Sequence, residues 1–132
     1  MDLHYVSVGP DTYVMRQQAV RLTTHLDIAE WEALMRERSE TLLLERGGAK
    51  WWCLIDLGEY ELNPELAADY GERARTFVER YFLGCVRFGD PEGLCSKSAL
   101  RIGALKNRFP SNLFRDENAA QVAIAGMQRF DA

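Results

Sequence analysis

The chain is short of nearly everything that enzyme chemistry draws on. It has two histidines, His4 and His25, and neither stands near a nucleophile or a second metal ligand in the sequence. GxSxG, HExxH and Cys–His patterns are missing, so nucleophilic and zinc chemistry lack their parts. Gly84 and Gly89 have P-loop spacing. Asp90-Pro91 then follows where Lys-Ser/Thr is required, so the spacing carries no phosphate cradle. No cofactor, no metal and no catalytic residue is expected.

Cysteine is scarce as well. Cys53, Cys85 and Cys95 are odd in number and share no CxxC spacing, which excludes a complete disulfide framework. Cys53 and Cys85 fall in apolar, strand-like runs, where a thiol behaves as a small hydrophobe. That usage suits a reducing compartment. No apolar run approaches the roughly 20 residues of a membrane span, and Met1-Asp2-Leu3-His4 lacks the basic start of a secretion signal. A cytoplasmic protein without a membrane partner is the expectation. Positive charge is the minority: 16 Lys and Arg against 20 Asp and Glu leave a net charge of −4. Such a field grips a phosphate backbone poorly, and nucleic acid is not an expected partner.

What is present suits a single globular domain over residues 1–132. The apolar fraction is 47% and the charged fraction 27%, enough apolar surface for a core and too little charge for disorder. Residues 3–8 and 12–18 are β-rich, and Gly9-Pro10-Asp11 between them predicts a hairpin. The second strand is expected to run on to Thr23, since Val20 and Leu22 alternate with Arg21. Asp27 followed by Glu30 predicts an acid N-cap and capping box. The helix it opens buries Ile28, Trp31, Leu34, Met35 and Leu42, pairs Glu32 with Arg36, and stops at Gly47-Gly48.

Trp51-Trp52-Cys53-Leu54-Ile55-Asp56 is a continuous apolar run, the pattern of a central parallel strand covered on both faces. Asn63-Pro64 predicts a helix start, with Leu66, Tyr70, Ala74, Phe77, Val78 and Tyr81 as its buried stripe. A strand over residues 83–88, a loop over 89–93 and a third helix over 94–107 follow. A short strand over 112–115, a cap at Asp116 and a last helix over 117–129 complete the pattern. The fold class is therefore α/β: a mixed, mostly parallel open sheet with an N-terminal antiparallel hairpin and about four helices.

Acids gather after the strands, at Asp27, Asp56, Asp90 and Asp116, where open α/β sheets place ligands. Caps and a turn account for all but Asp56. Charge is also segregated along the chain. Residues 51–72 hold Asp56, Glu59, Glu61, Glu65, Asp69 and Glu72 and no Lys or Arg, whereas residues 97–115 hold only cations among their charges. Two ordinary solvated helix faces give such a pattern, and so do complementary docking surfaces, since separated charge steers protein association.

The element order resembles the STAS-like domains, a family whose members include bacterial anti-sigma factor antagonists. The resemblance rests on the hairpin, the capped helix, the apolar strand ending in Asp56 and the closing stretch 112–120. In the antagonists an Asp-x-Ser-Gly signature follows the third strand, and its serine is phosphorylated. Here Asp56-Leu57-Gly58-Glu59 puts Gly58 at the serine's place, so that switch is not carried over. The resemblance implies a non-enzymatic regulatory module that binds a protein partner of unknown identity. The expected surface is Asp56, Gly58, Glu59, Tyr60, Glu61 and Asn63, extended along the next helix. Tyr60 is the residue to watch there: aromatics are enriched among binding hot spots, but a tyrosine between strand and helix is as often simply packed. Another reading is a small-molecule sensor or carrier with an apolar pocket lined by Trp31, Trp51 or Phe77. An edge strand that could take a second copy leaves a homo-oligomer open.

Overall fold

The hairpin forms as its sequence predicts. In the computed structural model, which describes residues 1–89 and 113–131, β1 (Asp2–Ser7) and β2 (Thr12–Gln18) pair antiparallel, from Asp2 opposite Gln18 to Ser7 opposite Tyr13. The expected run-on of β2 to Thr23 does not occur. Ala19 adopts φ 53°, a left-handed conformation that an L-residue enters only at a cost. The turn breaks the strand, and β3 (Val20–Leu22) leaves the main sheet to pair parallel with β5 (Tyr60–Leu62) in a small sheet of its own.

α1 spans His25–Glu45. Its cap lies three residues earlier than the sequence pattern suggested. Thr24 is the N-cap, and Asp27 is the reciprocal acid of the box: Asp27 N donates to Thr24 Oγ1 at 3.2 Å, and Thr24 N donates to Asp27 Oδ2 at 2.9 Å. Hydrogen bonds from Thr23, then from Thr24, hold the Asp27 carboxyl below the usual carboxylate range. Glu30 stays exposed. Glu32 and Arg36 pair at 3.1 Å as expected, and Gly47 and Gly48, at φ 65° and 88°, turn the chain out of the helix.

β4 (Trp51–Asp56) then takes the centre of the sheet. The order is β1-β2-β4-β6-β7, with β6 (Phe82–Phe88) and β7 (Leu113–Phe114) both parallel to it. Leu54 is wholly inaccessible. Between β4 and β6 the chain passes through β5, a 3-10 turn (Pro64–Leu66) and α2 (Ala67–Tyr81). Asn63 caps that turn by accepting Glu65 N at 3.1 Å. The last helix, α3, covers Glu117–Asp131, and Asp116 caps it through Ala119 N at 2.9 Å. The described residues thus hold three helices; the expected loop over 90–93 and helix over 94–107 lie outside them.

Strand alternation divides the core in two. On one face α1 and α2 bring Ile28, Trp31, Met35, Tyr70, Phe77 and Tyr81 onto Met15, Trp51, Cys53, Ile55 and Cys85. On the other, α3 sets Ala120 and Ile124 against Val14, Trp52, Leu54, Val86 and Phe88. Cys53 and Cys85 are register partners on neighbouring strands. Burial pushes both thiols up from their ordinary pKa, as inert core cysteines require. Cys95 lies outside the described residues. The β4–β6 register slips between Trp51 and Trp52. There the Trp52 indole lies directly over Gly84, so that a Cβ at 84 would collide with it and crowd Met127.

One cation fastens the hairpin turn. Arg46, just past α1, donates to Pro10 O, Ala49 O and Lys50 O at 3.0–3.1 Å and to Asp11 Oδ1 at 3.0 Å. Its guanidinium also lies over the Tyr13 ring, 5.4 Å from the centroid.

Candidate functional site

The loop that leaves β4 is held from four sides. Asp56, at the strand's C-terminal end, turns its carboxylate back on the chain and accepts Gly58 N on Oδ1 at 2.9 Å. Its Oδ2 accepts from Arg16 Nη1 at 2.9 Å, and Arg16 Nη2 donates to Glu117 Oε1 at 2.8 Å. β2, β4 and α3 are thereby joined through one guanidinium. Ion pairing with these two carboxylates outweighs the cost of desolvation and raises the Arg16 pKa. Leu57 N donates to Phe88 O at 2.9 Å, and Leu57 itself is buried. Glu59 O accepts Val20 N, and Asn63 N donates to Leu22 O, both at 3.0 Å. Asp56, which had no structural task in the sequence, is the anchor of the loop. Arg16, its ion-pair partner, is 40 residues away in sequence and left no local signal.

These anchors sort the expected surface residues. Gly58 and Glu59 are exposed, Glu61 is exposed, and Asn63 is half-buried. Tyr60 is not on the surface: alternation along β5 turns it inward with Leu62. Its ring meets Tyr70 edge-on at 5.9 Å, and its hydroxyl is buried with no hydrogen-bond partner among the described residues. Burial, then the neighbouring Tyr70, pushes its pKa well above the ordinary 10.0. At position 58 a side chain would stand 3.1 Å from Asp56 Oδ1. Glycine there admits the carboxylate's return to Gly58 N.

The acidic stretch is less uniform in space than in sequence. Glu61 pairs with Arg21 at 2.8 Å across β5 and β3. Asp69 meets His25 Nδ1 at 2.8 Å and Arg73 Nε at 2.9 Å. Partial burial works against ionisation of Asp69, but those two contacts prevail and hold its carboxyl below the usual range. Glu59, Glu65 and Glu72 are exposed and have no ion-pair partner among the described residues. Most of the basic stretch 97–115 lies outside the described residues.

The aromatics of the pocket reading pack into the core. Trp31 and Phe77, 5.7 Å apart between centroids, line a cavity of about 10 Å³, room for a single water. Trp51 is enclosed by Tyr5, Tyr13, Tyr81 and Phe82. Among the described residues no three His, Cys, Asp or Glu side chains converge to hold a metal ion, and no helix is long and apolar enough to cross a membrane. No protein-family model matches the chain, nor does any curated protein or solved structure.

Proposed function

We propose that the chain is a STAS-like, non-catalytic regulatory module of the cytoplasm that docks a protein partner through the loop after β4 and the exposed side of α2. The observation that carries this reading is the contrast within the loop itself. Its backbone is fixed at Leu57, Gly58, Glu59 and Asn63, while the Glu59 side chain is exposed with no ion-pair partner among the described residues. A rigid loop offering an uncompensated charge binds a partner at little ordering cost. Glu65 and Glu72 extend the same sign onto the 3-10 turn and α2. The hairpin, the parallel strands after it and the acidic strand end agree with the STAS-like order. Residues 56–63 hold no Ser or Thr, which agrees with regulation that does not pass through a phosphorylated serine there.

The test is a pull-down from the native cell with the wild type and Glu59→Lys side by side. Under this reading the wild type retains a protein that the variant loses. The on-rate of that protein falls as salt screens exposed charges beyond about 8–10 Å. Capture of the same proteins by both baits, at the same on-rate, overturns the assignment of the loop.

A further inference from the structure

β1 is an edge strand, and its two halves are finished differently. Val8 N donates to Thr12 O at 3.0 Å. With the register of β1 on β2, this makes 8/12, 6/14 and 4/16 the hydrogen-bonded pairs of the hairpin. The main chains of Leu3, Tyr5 and Ser7 therefore face outward, away from β2. Leu3 O is taken: Arg38 Nε, reaching down from α1, donates to it at 2.9 Å. Asp2 adds charge to that half, 3.6 Å from His4 and 4.0 Å from Arg38. Such side chains are the usual defence of a sheet edge. The other half has none. The outward N–H and C=O groups of Tyr5 and Ser7 have no partner among the described residues. Beside them Val6 and Val8 are 41% and 46% exposed.

We propose that this half-edge pairs with the same half-edge of a second copy of the chain, antiparallel, about a two-fold axis at Val6. The pivot follows from the groups that are free. An axis at Tyr5 would require the Leu3 carbonyl that Arg38 holds. An axis at Ser7 would pair Tyr5 with Gly9, in the hairpin turn. An axis at Val6 sets Tyr5 opposite Ser7 of the second copy and Ser7 opposite its Tyr5, so all four outward donors and acceptors on each side of the axis are matched. It also brings Val6 against Val6 at the close spacing of a non-hydrogen-bonded pair, about 4.5 Å between Cα atoms. The two five-stranded sheets then continue as one, through an isologous contact. This surface is on the strand edge, separate from the loop after β4, and stands whether or not that loop docks a partner.

The test is sedimentation of the full chain over a concentration series. A four-bond ladder with one apolar pair is a small interface, so the dimer should form in the micromolar range, with Kd about 10–100 µM. Val6→Lys places like charges face to face on the axis and should weaken the dimer about tenfold or more. Ser7→Pro removes a donor that faces away from β2, so it should have the same effect with the hairpin intact, seen as an unchanged thermal midpoint. Val122→Lys, at an exposed apolar site on α3, should leave the dimer as it is. Val6→Cys should give a disulfide-linked dimer on mild oxidation that the wild type does not give. A chain that stays monomeric throughout the series overturns the proposal, as does a dimer indifferent to Val6→Lys and Ser7→Pro. A dimer in which Val6→Cys fails to cross-link overturns the pivot.

Discussion

An arginine ties each end of the parallel strands, and the two ties are made of different material. Where the hairpin turns, Arg46 spends most of its donors on backbone carbonyls, and its side chain is only 11% exposed. At the opposite end Arg16, 34% exposed, bridges two carboxylates on separate elements. Carbonyls neither titrate nor respond strongly to salt, so the first tie behaves as part of the scaffold. Carboxylates do both, so the second tie is open to competition from ions, protons or another protein. The scaffold end and the adjustable end carry the same guanidinium chemistry, separated by the length of β4.

Both ties fail if β4 is undermined, since both depend on it. Leu54→Ala should cost about 2–5 kcal/mol, read as a lower urea midpoint with loss of structure at both ends in one transition. A variant with the wild-type midpoint would mean that β4 is not the shared support. The next largest effect belongs to Arg46. Arg46→Ala should cost about 1.5–3 kcal/mol, because it strands several carbonyls that a charged donor had satisfied, and the cost should persist in 1 M salt. Arg16→Ala should cost less than about 1 kcal/mol at low salt and almost nothing once the pair is screened. Equal costs with equal salt dependence would erase the distinction drawn between the two ends.

The adjustable end also responds, more weakly, to pH. Asp69 is at the adjustable end, at the start of α2, with its carboxyl held low by His25 and Arg73 against the pull of burial. An unfolded aspartate titrates near 3.9. The stability it contributes is therefore whole above that pH and lost as pH falls through the lower folded value. Asp69→Asn should lower stability by less than about 1 kcal/mol at pH 7, and wild type and variant should converge toward pH 3. A difference that stays constant across that range would show that the carboxylate's charge does no work there.

The sequence makes the strands and helices legible where a local pattern decides them. Five apolar residues in a row predicted the central strand, and Gly47-Gly48 predicted the end of α1; Asn63-Pro64 predicted a helix start, where the structure has a 3-10 turn and α2 begins only at Ala67. It misled wherever two patterns competed. The spacing of Asp27 and Glu30 predicted a cap at Asp27, and the box closes instead with Thr24 in that role and Asp27 as its acid. Val20-Arg21-Leu22 alternates like a continuation of β2, yet the left-handed backbone at Ala19 sends it to another sheet. No side-chain preference announces that, since alanine seldom adopts the conformation. The candidate site was legible in part. Gly58 and Glu59 are where the strand end predicted, but Tyr60 faces the core because the loop closes into a strand and inherits its alternation. The role of Asp56 depended on Arg16 and Gly58, and only the first of these required the fold to be seen.

Gly84 beneath the Trp52 indole has a consequence for descent. A chain cannot gain any side chain at 84 while the indole stays in place, and a smaller residue at 52 would leave a hollow between β4, β6 and α3. The two positions are therefore bound to change together or not at all. Any relative of this protein, however far its surface has drifted, should carry either the tryptophan with its glycine or a smaller residue with a larger one. That couplet, 32 positions apart in sequence, is the mark by which distant kin can be recognised.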